Sequence, residues 1–139
     1  MRIPDRTKRT VGAVLQSAVE QHGDKPFLLV ADDIITFAEL NSRANCLSNG
    51  MHEFGICHQN NVLLMLEDNV DFVAVWIALA KLGAVEVPIN RAYQGELFVH
   101  LVNDSQATRI IVDGRYLQRI SEVSRRLTHL TEIIVYPEL

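Results

Sequence analysis

Three short polar stretches carry side chains able to do chemistry: Glu67-Asp68-Asn69, Asn90-Arg91-Ala92 and Asp113-Gly114-Arg115. Each follows an apolar run that reads as a β-strand. In an open α/β sheet, ligands bind beyond the carboxyl ends of the strands. A carboxylate there, Glu67 or Asp68, suits a general base, although helix capping and compensation of a helix dipole account for both more simply. Arg91 and Arg115 are the cations at these positions. Either suits a phosphate or a carboxylate ligand, and a surface salt bridge is the plainer role for both.

Other chemistries lack their residues. The seven glycines are Gly12, Gly23, Gly50, Gly55, Gly83, Gly95 and Gly114. They form no Gly-x-Gly-x-x-Gly, and Gly50 with Gly55 is followed by Ile56-Cys57, where a phosphate loop needs Lys and Ser or Thr. They read as helix stops and turns instead. His22, His52, His58, His100 and His129 are scattered, and only His52, Cys57 and His58 lie close in sequence, with no second cluster at ligand spacing. No Gly-x-Ser-x-Gly elbow presents a nucleophile. Cys46 falls near an apolar helical stripe and reads as a small packed residue, whereas Cys57 follows a helix end and reads as exposed.

The elements that must hold these positions follow from periodicity. Residues 10–23 read as a helix with Val11, Val14, Leu15, Ala18 and Val19 on one stripe, capped by Thr10 and stopped by Gly23. Residues 27–30 and 34–37 read as a hairpin. Thr36 and Glu39 form a capping box for a second helix, on which Phe37, Leu40, Ala44, Leu47, Met51 and Phe54 share a face until Gly55. Residues 62–66 form a continuous apolar run, as in a strand buried on both faces. Asn69 caps a helix over 70–82 that Gly83 closes. That helix is apolar almost all round, Trp76 included, which predicts a central position. Strands follow at 84–89, 109–112 and 131–136, with helices at 96–103 and 116–127. The order predicts an α/β fold: an N-terminal helix and a β-hairpin, then a mostly parallel sheet covered by helices through right-handed crossovers. Residues 1–9 read as a basic arm and 10–139 as a single α/β domain, with no internal repeat.

Composition sets the outer bounds. At 139 residues, 48% of them hydrophobic, the chain can bury an ordinary core and is too short for two full domains. The net charge of −4 offers no basic excess for a nucleic-acid backbone. Two cysteines exclude a disulfide framework and fit a reduced compartment, so a cytoplasmic location is expected. The longest apolar stretches, 62–66 and 72–80, fall short of the ~18–20 residues of a membrane span.

Two segments carry a family resemblance. Ile35-Thr36-Phe37-Ala38-Glu39-Leu40-Asn41, with Arg43-Ala44-Asn45 after it, resembles the Leu-Thr-Tyr-x-Glu-Leu segment of the adenylate-forming (AMP-binding) superfamily. Lys81-Leu82-Gly83-Ala84 with Pro88 and Asn90 resembles that family's Lys-x-Gly-Ala-x-x-x-Pro-x-Asn block. The resemblance runs in register from about residue 10 to the end. Val87-Pro88-Ile89-Asn90-Arg91-Ala92 is most similar to carnitine/crotonobetaine-type and fatty-acyl CoA ligases. It implies the first subdomain of the adenylate-forming ligase fold and a reaction in which a carboxylate attacks the α-phosphate of ATP. Acyl-AMP then passes its acyl group to a thiol, usually coenzyme A, with magnesium offsetting phosphate charge.

The chain also departs from that family. The Ser/Thr-rich loop ending Gly-x-Pro-Lys-Gly, the adenine-binding segment, the hinge aspartate and the lid lysine are all absent; by the resemblance they would follow residue 139. No position is therefore carried over as catalytic, cofactor-binding or metal-binding. The expectation is an N-terminal scaffold part of an ATP-dependent acyl-CoA ligase, inactive alone and binding no cofactor itself, with ATP, magnesium and coenzyme A belonging to the intact family. Its partner would be the remainder of the ligase or a completing chain, with self-association through exposed apolar surface. The alternatives are a stand-alone, non-catalytic interaction module and one chain of a split ligase. A flavodoxin-like nucleotide binder is disfavoured by the missing glycine loops.

Overall fold

The computed structural model describes residues 5, 9–30 and 33–136. Most of the basic arm, the hairpin turn at Ala31-Asp32 and the stop at Pro137-Glu138-Leu139 lie outside the described residues. The elements run α1 (Val11–His22), β1 (Pro26–Val30), β2 (Asp33–Thr36), α2 (Phe37–Glu53), β3 (Asn61–Met65), α3 (Val70–Leu82), β4 (Val85–Pro88), α4 (Gly95–Asp104), β5 (Arg109–Val112), α5 (Leu117–Val123) and β6 (Glu132–Val135). This is the predicted order. The helix expected over 116–127 is shorter, because single 3₁₀ turns at Gly114–Tyr116 and Ser124–Arg126 flank α5.

The chain divides into two compact units, Met1–His58 with Asp68–Gly83, and Gln59–Glu67 with Ala84–Leu139. The first holds α1, the hairpin, α2 and α3. Local chemistry fixes where each helix begins. The Thr10 hydroxyl accepts from the Ala13 amide at 3.2 Å. Thr36 and Glu39 form the full capping box: the Glu39 amide donates to Thr36 Oγ1 at 3.2 Å and the Thr36 amide to Glu39 Oε2 at 2.9 Å. Those bonds hold the Glu39 carboxyl below its ordinary value. Asn69 Oδ1 accepts from the Phe72 amide at 3.1 Å and starts α3. Gly83 ends it in the left-handed conformation, with φ of 71°. A Cβ there would lie 2.5 Å from His58 Nδ1, so both backbone and neighbour exclude a side chain.

The core of this unit joins Leu15 of α1, Ile35 of β2, Leu40 and Ala44 of α2, and Val70, Ala74 and Ile77 of α3. Phe27 and Phe37 meet edge to face at 4.9 Å. Three expected positions differ. Trp76 is 41% exposed and lines an apolar groove of about 300 Å³ with Val11, Val14 and Phe27, so α3 is not covered on every side. Phe54 is 67% exposed because α2 stops at Glu53 and the stripe ends with it. Cys46 is exposed, one position outside the buried face marked by Leu40, Ala44 and Met51.

The second unit is a four-stranded sheet in the order β4-β3-β5-β6, with every neighbouring pair parallel. Leu63 and Met65 of β3 and Ile110 and Val112 of β5 pack with Phe98 and Val102 of α4 and Ile120 of α5. Val62, Leu64 and Ile111 alternate with them and are also buried, so the two central strands are enclosed on both faces, as the continuous apolar run predicts.

Replacing Gly83 by Ala should cost at least about 1–2 kcal/mol, the penalty for a left-handed β-carbon, with the displacement of His58 added to it, read from denaturant unfolding. In the same assay Leu40→Ala, which opens a cavity at a fully buried position, should cost about 2–5 kcal/mol, and Trp76→Ala less than half as much.

Candidate functional site

Three strand ends of the second unit converge on one carboxylate. Glu67 lies two residues beyond β3, Arg91 three beyond β4, and Arg115 and Tyr116 just beyond β5. Parallel register brings these ends to the same edge of the sheet. Arg91 Nη1 donates to Glu67 Oε2 at 2.5 Å, and Arg115 Nη1 lies 3.5 Å from Glu67 Oε1. The Tyr116 hydroxyl donates to Glu67 Oε1. Asp113 accepts from the Arg115 side chain at 2.9 Å and from the Arg115 amide at 3.0 Å. Arg119 lies 5.1 Å from the centre of the Tyr116 ring and donates to the carbonyls of Arg91 and Tyr93.

The electrostatics follow from those contacts. The Tyr116 hydrogen bond, then the Arg91 hydrogen bond and charge, hold the Glu67 carboxyl below its ordinary value. The same hydrogen bond raises the Tyr116 phenol above its ordinary value. Asp113, and more weakly Glu67, raise Arg115 further. The Glu67 and Tyr116 shifts carry the two pKa values further from neutral pH, opposite to what a general base or acid requires. The arrangement fixes the three loops to one another.

Glu67, Arg91, Asp113 and Arg115 are thus brought together, and the salt-bridge reading of the two arginines is the one the geometry supports. The other strand-end residues do local work. Asn90 Oδ1 accepts from the Ala92 amide at 2.9 Å. Asn69 caps α3, and Asp68 is exposed in the first unit. Among the described residues, no three of His, Cys, Asp or Glu are placed to hold a metal ion. Tyr116 and Arg119 were not legible beforehand, because only the parallel pairing of β3 with β5 brings Tyr116 to Glu67.

A second polar constellation lies in the first unit and also escapes sequence reasoning. Lys81 Nζ donates to Asn41 Oδ1 at 2.6 Å and to Asn45 Oδ1 at 2.5 Å, and Asn41 Nδ2 is 3.4 Å from Gln16 Oε1. Burial pushes the Lys81 ammonium below its ordinary value. Arg43 pairs with Asp71 of the first turn of α3. Lys81 belongs to one of the two family-like segments, and Asn41, Arg43 and Asn45 to the other. One clue was available: Asn41 adjoins Leu40 on the inward face of α2, and a buried amide demands a partner.

A family model described as AMP-binding enzyme matches residues 15–138. Crotonobetaine/carnitine–CoA ligase of Salmonella paratyphi A is 30% identical over 109 residues, covering 75% of this chain and 21% of that protein. Tyrocidine synthase 3 of Brevibacillus parabrevis is 26% identical over 125 residues, covering 90% of this chain and 2% of that one. The solved structure of a long-chain-fatty-acid–CoA ligase from Archaeoglobus fulgidus shares the fold, with a TM-score of 0.86 and 22% identity over 99% of this chain and 29% of that chain. The chain therefore spans about a fifth or less of the length of these curated relatives.

The Glu67 cluster predicts an acid-limb signature. A carboxyl held below its ordinary value of 4.5 contributes stability above that pH and loses it as pH falls through the lowered value. Between about pH 5 and about pH 3, the wild type should lose more unfolding free energy than Glu67→Gln. In the variant, phenol absorbance should show Tyr116 titrating closer to 10.0.

Proposed function

The chain belongs to the AMP-binding enzyme family, and on that premise we propose that these residues are the N-terminal scaffold part of an ATP-dependent acyl-CoA ligase, inactive in adenylation alone. The observation that carries this reading is the commitment of the strand-end polar groups to one another. Arg91 and Arg115, the cations suited to a phosphate, face Glu67 and Asp113. The carboxylates suited to magnesium are faced by guanidinium groups in turn. These residues do not fit a nucleoside triphosphate or its metal, and no catalytic step is assigned to them.

The sequence supports the same reading. No Gly-x-Pro-Lys-Gly loop occurs in the 139 residues. The 30% identity to a CoA ligase supports a carboxylic acid as the activated group and coenzyme A as its acceptor, in the whole ligase rather than in this part. No helix among the described residues is long and apolar enough to cross a membrane. The two cysteines fit work in the cytoplasm. The completing partner is the remainder of a ligase, in the same polypeptide or in another.

The purified chain, given ATP, magnesium and a panel of fatty, carnitine-type and aromatic acids, should release no pyrophosphate. Turnover that disappears in Arg91→Ala would contradict the scaffold reading.

A further inference from the structure

Four elements of the first unit wall the apolar groove of about 300 Å³: Val14 and Ala18 of α1, Phe27 of β1, Phe37 at the start of α2, and Trp76 and Ile77 of α3. Val14, Phe27 and Trp76 are exposed there, which leaves apolar and aromatic area in water at a cost. The lining has the make-up of a small-molecule site, mostly apolar and aromatic with few polar groups, at the lower end of the usual ~300–1,000 Å³. Among the described residues Arg9 is the one charged side chain that lines it. Arg9 has an interaction partner of its own. A guanidinium carries five N–H donors, so one partner leaves donors for a second acceptor.

We infer that this groove is a binding site for a small aromatic carboxylate, with its ring among Phe27, Phe37 and Trp76 and its carboxylate paired with Arg9. Size, shape and charge each select that ligand. At the ~30 Å³ that a water takes in the liquid, the groove holds roughly ten non-hydrogen atoms. Three aromatic side chains line it, and Phe27 and Phe37 already meet edge to face at 4.9 Å, a packing that another flat ring extends. The charged lining residue is a cation of the type that binds carboxylates through paired N–H donors. A second copy of the chain fits less well, because a stable dimer needs roughly 20–30 residues a side. The groove belongs to the first unit and the strand-end cluster to the second, so the inference goes beyond the scaffold reading and does not depend on it.

Trp76 is the chain's only tryptophan, so its emission and its indole N–H resonance report on this groove. The purified chain is titrated with hydrocinnamate and with hydrocinnamyl alcohol, which share a phenyl body and differ in charge. The expected result is a blue shift of Trp76 emission by the acid, with a dissociation constant of about 1 mM or below, and roughly two- to fivefold weaker binding of the alcohol. Arg9→Gln should weaken the acid by the same factor and leave the alcohol unchanged, at an unchanged unfolding midpoint. Ala18→Leu, which fills the groove from α1, should remove the response to both. Should Ala18→Leu fail to fold, the ligand pair and Arg9→Gln still decide. No Trp76 response to the acid at roughly ten times that concentration, equal affinity for acid and alcohol, or an acid affinity untouched by Arg9→Gln overturns the inference. So does a folded Ala18→Leu that binds as the wild type does, or a Trp76 shift that follows protein concentration alone and marks self-association.

Discussion

The first unit depends on placing one ammonium group. Lys81 sits in the last turn of a helix that is otherwise almost wholly apolar, and a part-buried cation needs acceptors. Asn41 and Asn45 of α2 supply two carbonyl oxygens within 2.6 Å. This requirement fixes the phase of α2 against α3. With Asn41 turned toward Lys81, Leu40 and Ala44 join Ala74 and Ile77 in the core. The Thr36–Glu39 box sets where α2 begins and hence which residues face inward. Gly83 stops α3 two residues beyond Lys81. Capping, packing and the buried polar contact therefore demand the same register.

The second unit follows the same logic around a carboxylate. Parallel strands deliver their carboxyl ends to one edge, where families with this architecture bind ligands. Here that edge is closed on itself, with Glu67 bonded to Arg91 and Tyr116, Asp113 to Arg115, and Arg119 to two carbonyls. Such a network gives the loops fixed positions and leaves them poor in reactive groups. That combination of ordered loops and compensated charges supports the proposed scaffold role.

Much of this was legible in the sequence, because the features were local. The bounds of α3 follow from Asn69 and Gly83, the start of α2 from Thr36 and Glu39, and burial of β3 on both faces from an unbroken apolar run. What stayed hidden was tertiary. Periodicity says which residues share a face but not what covers that face, so Trp76, Phe54 and Cys46 were placed inward and lie outward. The strand order β4-β3-β5-β6 and the meeting of Tyr116 with Glu67 depend on pairing between distant segments. At the strand ends the residue types were visible, and their mutual neutralisation was not. The two family-like segments were recognisable as patterns, whereas their physical meaning, a joint between α2 and α3, required the fold.

That joint is the central claim: residues that mark the family in this chain hold α2 and α3 together. A double-mutant cycle between Lys81→Met and Asn41→Ala, read by urea unfolding, tests it most directly. The account predicts strongly non-additive losses, with a coupling energy between about 0.5 and 3 kcal/mol. Losses that add to within about 0.3 kcal/mol would show that the two residues act independently and would contradict it.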